Sequence, residues 1–147
     1  GTGNRISELK FITTEAAARG QAEISLKGKN RIVLLPRELC VRLLRYAGKQ
    51  GIHTGCIFCT RNGKPVDRSN VCHDMKKLCS DAGVAPGKVF PHNFRHLFAR
   101  AFYRIEKDLA RLADILGHSS IETTRIYTKE SARTYERILN RMRLVQT

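Results

Sequence analysis

Apolar residues recur along this chain in two periods. Between residues 21 and 35, β-branched and leucine positions occupy two short arms around Gly28, predicting a β-hairpin over 21–26 and 30–35. From Pro36 onward the spacing lengthens to i, i+3, i+4. Leu39, Leu43, Leu44 and Ala47 predict one helix. Val71, Cys72, Met75, Leu78, Cys79 and Ala82 predict a second over 68–82, closed by Gly83. Pro91 opens a third, with Phe94, Leu97, Phe98, Ala101 and Ile105 on its buried face. A fourth runs from 108 to 116 and stops at Gly117; Ser119 and Glu122 then read as a capping box for the helix holding Tyr127. Ser131 caps a last helix with the seam Tyr135, Ile138, Leu139, Met142 and Val145. Residues 5–11 read as the end of a helix that starts before Gly1, and 55–60 as a short third strand. The prediction is a mainly α fold with one small antiparallel sheet, an α+β class.

Length and charge sharpen this picture. With 147 residues the chain can bury one domain's core, and 41% hydrophobic against 27% charged residues reads as a globular, cytoplasmic protein. No apolar run is long enough to cross a bilayer, and no basic-then-apolar leader is present. Lys and Arg number 27 against 13 Asp and Glu, a net charge of +14, which favours a polyanionic partner and above all nucleic acid. The five cysteines are an odd number and do not suggest a disulfide framework. Cys56 and Cys59 have the spacing of half a zinc site. On a strand they would face opposite sides, so both are read as ordinary packing positions, with no metal and no cofactor expected.

The candidate chemistry lies in five blocks. They are Thr2-Gly3-Asn4-Arg5-Ile6-Ser7-Glu8-Leu9, the hairpin with Lys27, His92-Asn93-Phe94-Arg95-His96, Leu116-Gly117-His118-Ser119-Ser120, and Thr123-Thr124-Arg125-Ile126-Tyr127-Thr128. Taken singly, each has an ordinary explanation: a surface arginine, a solvated turn, a helix-end histidine, a half-buried tyrosine. In this order they form a set suited to phosphodiesters. Arginine donates its planar fork to two phosphate oxygens and keeps its charge. Histidine exchanges protons near neutral pH. Tyrosine, with a reference pKa of about 10, is a poor nucleophile unless the charge that develops on phosphorus is stabilised.

The five blocks together resemble the catalytic domain of the tyrosine recombinases, the phage integrase family, nearly from end to end. The resemblance implies that Arg5 and Arg95 clamp the non-bridging oxygens and that Lys27 protonates the departing 5′ oxygen. His92 and His118 would assist at the phosphate, and Tyr127 would form a 3′-phosphotyrosyl bond that needs neither ATP nor metal. It makes Glu8 and His96 supporting residues, and leaves Lys29 and Arg31 for the DNA backbone. Phe94 in place of the usual leucine, and Lys129 where a histidine is common, depart from the family pattern without removing a catalytic group.

The resemblance further implies double-stranded DNA as partner and a homotetramer on paired sites, with residues 131–147 a helix for docking between protomers or for packing within one. It also implies that residues 1–147 are a catalytic fragment, preceded by a DNA core-binding domain and the first catalytic helices. Such a fragment alone is expected to bind DNA weakly and need not cleave it. The alternative reading is a non-enzymatic helix-turn-helix-like DNA-binding module built on residues 112–124. A metal-dependent nuclease is a third, for which the acidic residues are few and unclustered.

Overall fold

The computed structural model describes residues 2–128, apart from the side chains of residues 122 and 126–128. The predicted hairpin forms, with β1 (Gln21–Leu26) paired antiparallel to β2 (Lys29–Leu34). Lys27 and Gly28 make a two-residue turn, both with positive φ (51° and 72°), the conformation whose twist matches the paired strands. Ala22 and Ile24 point inward from β1; opposite them stand Val33 and Arg31 of β2. The hairpin's inner face therefore changes from apolar to cationic towards its tip.

Helices α1 (Thr14–Arg19) and α2 (Arg37–Lys49) pack on each other, and α1 also packs on β1. Ile12, Ala16, Ala17, Ala22, Ile24, Val33, Leu35, Cys40, Leu43, Ala47 and Ile57 form the larger core. Each fully buried Ile, Leu or Val there contributes roughly 1.5–3 kcal/mol. Helices α4 (Pro91–Ile105), α5 (Leu109–Leu116) and α6 (Ile121–Thr128) pack together around a smaller core of Ala99, Leu112 and Leu116. Helix α3 (Arg68–Asp81) lies between them in sequence.

Several expectations need correction. Residues 6–11 form a 3-10 turn that starts at Ile6, because Arg5 is extended (φ −75°, ψ 154°) and caps it. Residues 55–60 add no third strand. Cys56 and Cys59 make isolated bridges to Thr13 and Pro65, and the sheet of the described residues has two strands. The Cys59 thiol turns back to the Cys56 carbonyl at 3.1 Å, a tight turn rather than an extended pair. Among the described residues no three His, Cys, Asp or Glu side chains group as a metal site.

On α3, Cys79 is buried while Leu78 is exposed, because among the described elements the helix packs chiefly on the two 3-10 turns, Ile6–Phe11 and Pro86–Lys88. On α4 the buried stripe is Arg95 and Ala99, flanked by Phe98 and Phe102; Phe94 and Leu97 are exposed and Ile105 is 88% exposed. The inward position of Arg95, described below, rotates the helix away from the face its apolar pattern suggested. Helix α6 begins at Ile121, one residue later than a Ser119 cap requires. The predicted helix over 131–147 lies outside the described residues. No helix among the described residues is long and apolar enough to cross a membrane.

Candidate active site: three arginines on one helix end

The site is assembled at the C-terminus of α5. Asp108 caps the start of that helix through a 3.0 Å bond from the Arg111 amide, and Gly117 ends it in the left-handed conformation at φ 65°. A helix end leaves carbonyls without internal partners and carries a partial negative charge. Here three consecutive carbonyls each receive an arginine. Arg31 donates to Ile115 O, Arg95 to Leu116 O at 2.6 Å, and Arg5 to Gly117 O at 3.3 Å. The donors come from the hairpin, from α4 and from the cap of the first 3-10 turn, so the helix end ties the two cores together.

Glu8 organises two of the three. It is 1% exposed and accepts from Arg5 Nη1 at 3.2 Å, from Arg31 Nη2 at 2.7 Å and from the Arg5 backbone amide at 2.7 Å. Arg95 is buried on the far side, where it also donates to Gly3 O at 2.5 Å. Gly3 suits that approach: its φ is 67°, and a Cβ there would stand 2.4 Å from the Phe98 ring. The carbonyls satisfy guanidinium N–H groups but carry no formal charge. Three arginines with one carboxylate therefore leave the cluster cationic.

His118 follows directly. Its Nε2 lies 2.9 Å from Arg95 Nη2 and its Nδ1 2.9 Å from Thr124 Oγ1. Burial first, then the charges of Arg95, Arg5 and Arg31, push its pKa down to about 4. At neutral pH it is an uncharged imidazole and a weak base, suited to orienting its neighbours. His92 stands exposed in the first turn of α4, with its ring 4.4 Å from that of His96 in a T-shaped arrangement. Burial, then His92, Arg100 and Arg95, lower the pKa of His96.

A cleft of ≈ 680 Å³ opens beside these groups. Arg5, Lys10, Arg68, Arg95 and His92 line it with Ser7 and Asn4, and Asp67 is its one acidic lining residue among those described. Leu26 also lines it, so the hairpin tip borders the cleft, with exposed Lys27 one residue beyond. Lys29 is exposed on the same hairpin.

Residues 1–134 match the profile of the Phage integrase family. The chain belongs to that family. Among its relatives, the tyrosine recombinase XerH of Campylobacter jejuni is 35% identical over 137 residues, covering 86% of this chain and 38% of that protein. The crystal structure of XerA recombinase superposes with a TM-score of 0.77 at 26% identity, over 99% of this chain and 53% of that one. A structure of XerH bound to a palindromic difH substrate, a post-cleavage complex, matches with a TM-score of 0.75 at 25% identity, over 95% of this chain and 42% of that one. The chain thus spans about half or less of the length of these integrase-family relatives.

For the family member described here, the fold brings Arg5, Glu8, Arg95 and His118 together, with His92 and His96 at the cleft edge. Tyr127 falls in the last turn of α6, and its side chain lies outside the described ones. Arg31 differs from its expected place at the DNA backbone: its side chain is only 17% exposed and is engaged by Glu8 and Ile115. Sequence did hold the signal, because Arg31 is two residues from buried Val33 and so shares its strand face. Thr124 is fully buried, and no local sequence pattern marks it for the site. It sits three residues before Tyr127 on α6.

Proposed function

We propose that this chain is the catalytic part of a site-specific DNA recombinase, breaking and rejoining strands through a phosphotyrosine. The observation that supports this reading most is the convergence of Arg5, Arg31 and Arg95 on carbonyls 115–117, next to His118 and one turn from the helix that holds Tyr127. A cationic cluster already bonded in place needs little rearrangement when charge develops on phosphorus, which is where such sites gain most. Arg5, 44% exposed, and Arg95 line the cleft that would receive the phosphate.

In the reaction, Tyr127 gives up its phenolic proton to solvent as its oxygen attacks phosphorus, and the 5′ oxygen leaves with a proton from Lys27 at the hairpin tip. The new phosphotyrosyl ester keeps the backbone bond energy, and attack by a 5′ hydroxyl reverses the step. His92 binds the phosphate at the start of α4, where the helix dipole favours an anion. Glu8 and His96 hold the arginines and His92 in place, and Lys29 meets the DNA backbone. The longer protein works in the cytoplasm as a tetramer on paired duplex sites, with an upstream domain gripping the far side of the DNA.

The test is incubation of the full-length protein with candidate attachment-site DNA in EDTA, followed by denaturing electrophoresis. A protein–DNA adduct in the parent, absent in Tyr127→Phe, is expected. Binding without an adduct in the parent would instead favour the DNA-binding module, and cleavage abolished by EDTA would favour a metal-dependent nuclease.

A further inference from the structure

Thr124 is a buried polar residue with 0% exposure, and its hydroxyl meets His118 Nδ1 at 2.9 Å. The other ring nitrogen faces Arg95 Nη2 at 2.9 Å. Guanidinium nitrogens only donate, so Nε2 must accept. The neutral ring then carries its proton on Nδ1 and donates it to Thr124 Oγ1. One imidazole thus joins an arginine of the phosphate-binding cluster to the helix that carries the tyrosine. Thr124 suits this task because its branched Cβ restricts the direction of the hydroxyl, and because it stands one helical turn before Tyr127.

We propose that Thr124 is a positioning residue: by accepting the Nδ1–H proton that Arg95 fixes on His118, it latches α6 to the arginine cluster. The role as a positioning residue for cleavage rests on the recombinase reading; the tautomer and the latch do not. Packing of α6 against the helices α4 and α5 holds it in general position. The hydroxyl adds a directional link, so that the nucleophile's helix and the phosphate-binding groups move together.

The experiment has two arms. Nitrogen-15 NMR of the chain at pH 7 reads the His118 ring directly. The parent should show protonated Nδ1 and unprotonated Nε2; a ring protonated on Nε2, or an even mixture, overturns the latch without any variant. Thr124→Val removes the hydroxyl at nearly the same volume, and Thr124→Ser restores it. Valine should remove the acceptor of the Nδ1–H, speed that proton's exchange with solvent, and slow adduct formation on attachment-site DNA by roughly ten- to a hundredfold, by analogy with loss of an outer partner of a metal-ligating histidine. Serine should recover most of both.

Unchanged Nδ1–H exchange and adduct rate in Thr124→Val would overturn the proposal, as would a serine variant as impaired as the valine one. Melting temperature is followed in parallel, so a rate loss explained by unfolding alone, with His118 unchanged in the folded fraction, also counts against it. If the parent forms no adduct on any attachment site, the recombinase reading fails and takes the catalytic role with it, while the NMR arm still decides the latch.

Discussion

Glu8 and Arg31 meet at 2.7 Å, with the carboxylate 1% exposed and the arginine 17%. This pair joins the first 3-10 turn to the hairpin, and through Arg31 to the end of α5. Removing one partner of a buried pair leaves the other charge without compensation, at a cost of about 3–5 kcal/mol. Glu8→Ala should therefore lower stability by that order in urea unfolding. The double variant Glu8→Ala/Arg31→Met should recover part of the loss, since the second buried charge is gone.

The two hairpin cations should separate by experiment. Lys29 is exposed, so Lys29→Ala should weaken DNA binding evenly across sequences and reduce the salt slope by about 1. Arg31→Ala should leave that slope nearly unchanged and lower the melting temperature instead. Binding isotherms at several salt concentrations, with a thermal melt of each variant, check both.

Gly117 is where backbone and cluster meet. Its φ is 65°, and a Cβ there would lie 2.7 Å from Arg31 Nε and 2.9 Å from Arg31 Cδ. Gly63 has a similar φ of 72° with nothing within 4 Å of the added carbon. Both alanine variants carry the left-handed penalty of about 1–2 kcal/mol. Gly117→Ala should lose more stability than Gly63→Ala, and the difference measures the displacement of Arg31.

His118 predicts an acid response. Its folded pKa, about 4, is below the ordinary histidine value of 6.5. As pH falls from about 6.5 towards 4, the unfolded chain takes up a proton that the folded chain refuses, so stability falls across that window. Above it, the ring is neutral in both states and contributes no pH dependence. His118→Gln should flatten this part of the stability profile, which melts between pH 4 and 7 would record.

Much of the architecture was legible because its causes are local. The hairpin follows from β-branched and leucine arms around Gly28, α5 is stopped by Gly117, and the cationic character comes from composition. The five family blocks named Arg5, Glu8, Arg95 and His118 as members of one site. Tertiary structure decided the rest. Whether α4 buries Phe94 and Leu97 or Arg95 depends on carbonyls at Gly3 and Leu116, the first of them 92 positions away. Arg31 is drawn inside rather than to DNA because its acceptors, Glu8 and Ile115 O, 23 and 84 positions distant, reach it only in the fold. Periodicity and capping act within a few residues, so a chain announces them in order. A buried charge is set by what the fold brings to it, and that depends on partners no local pattern contains.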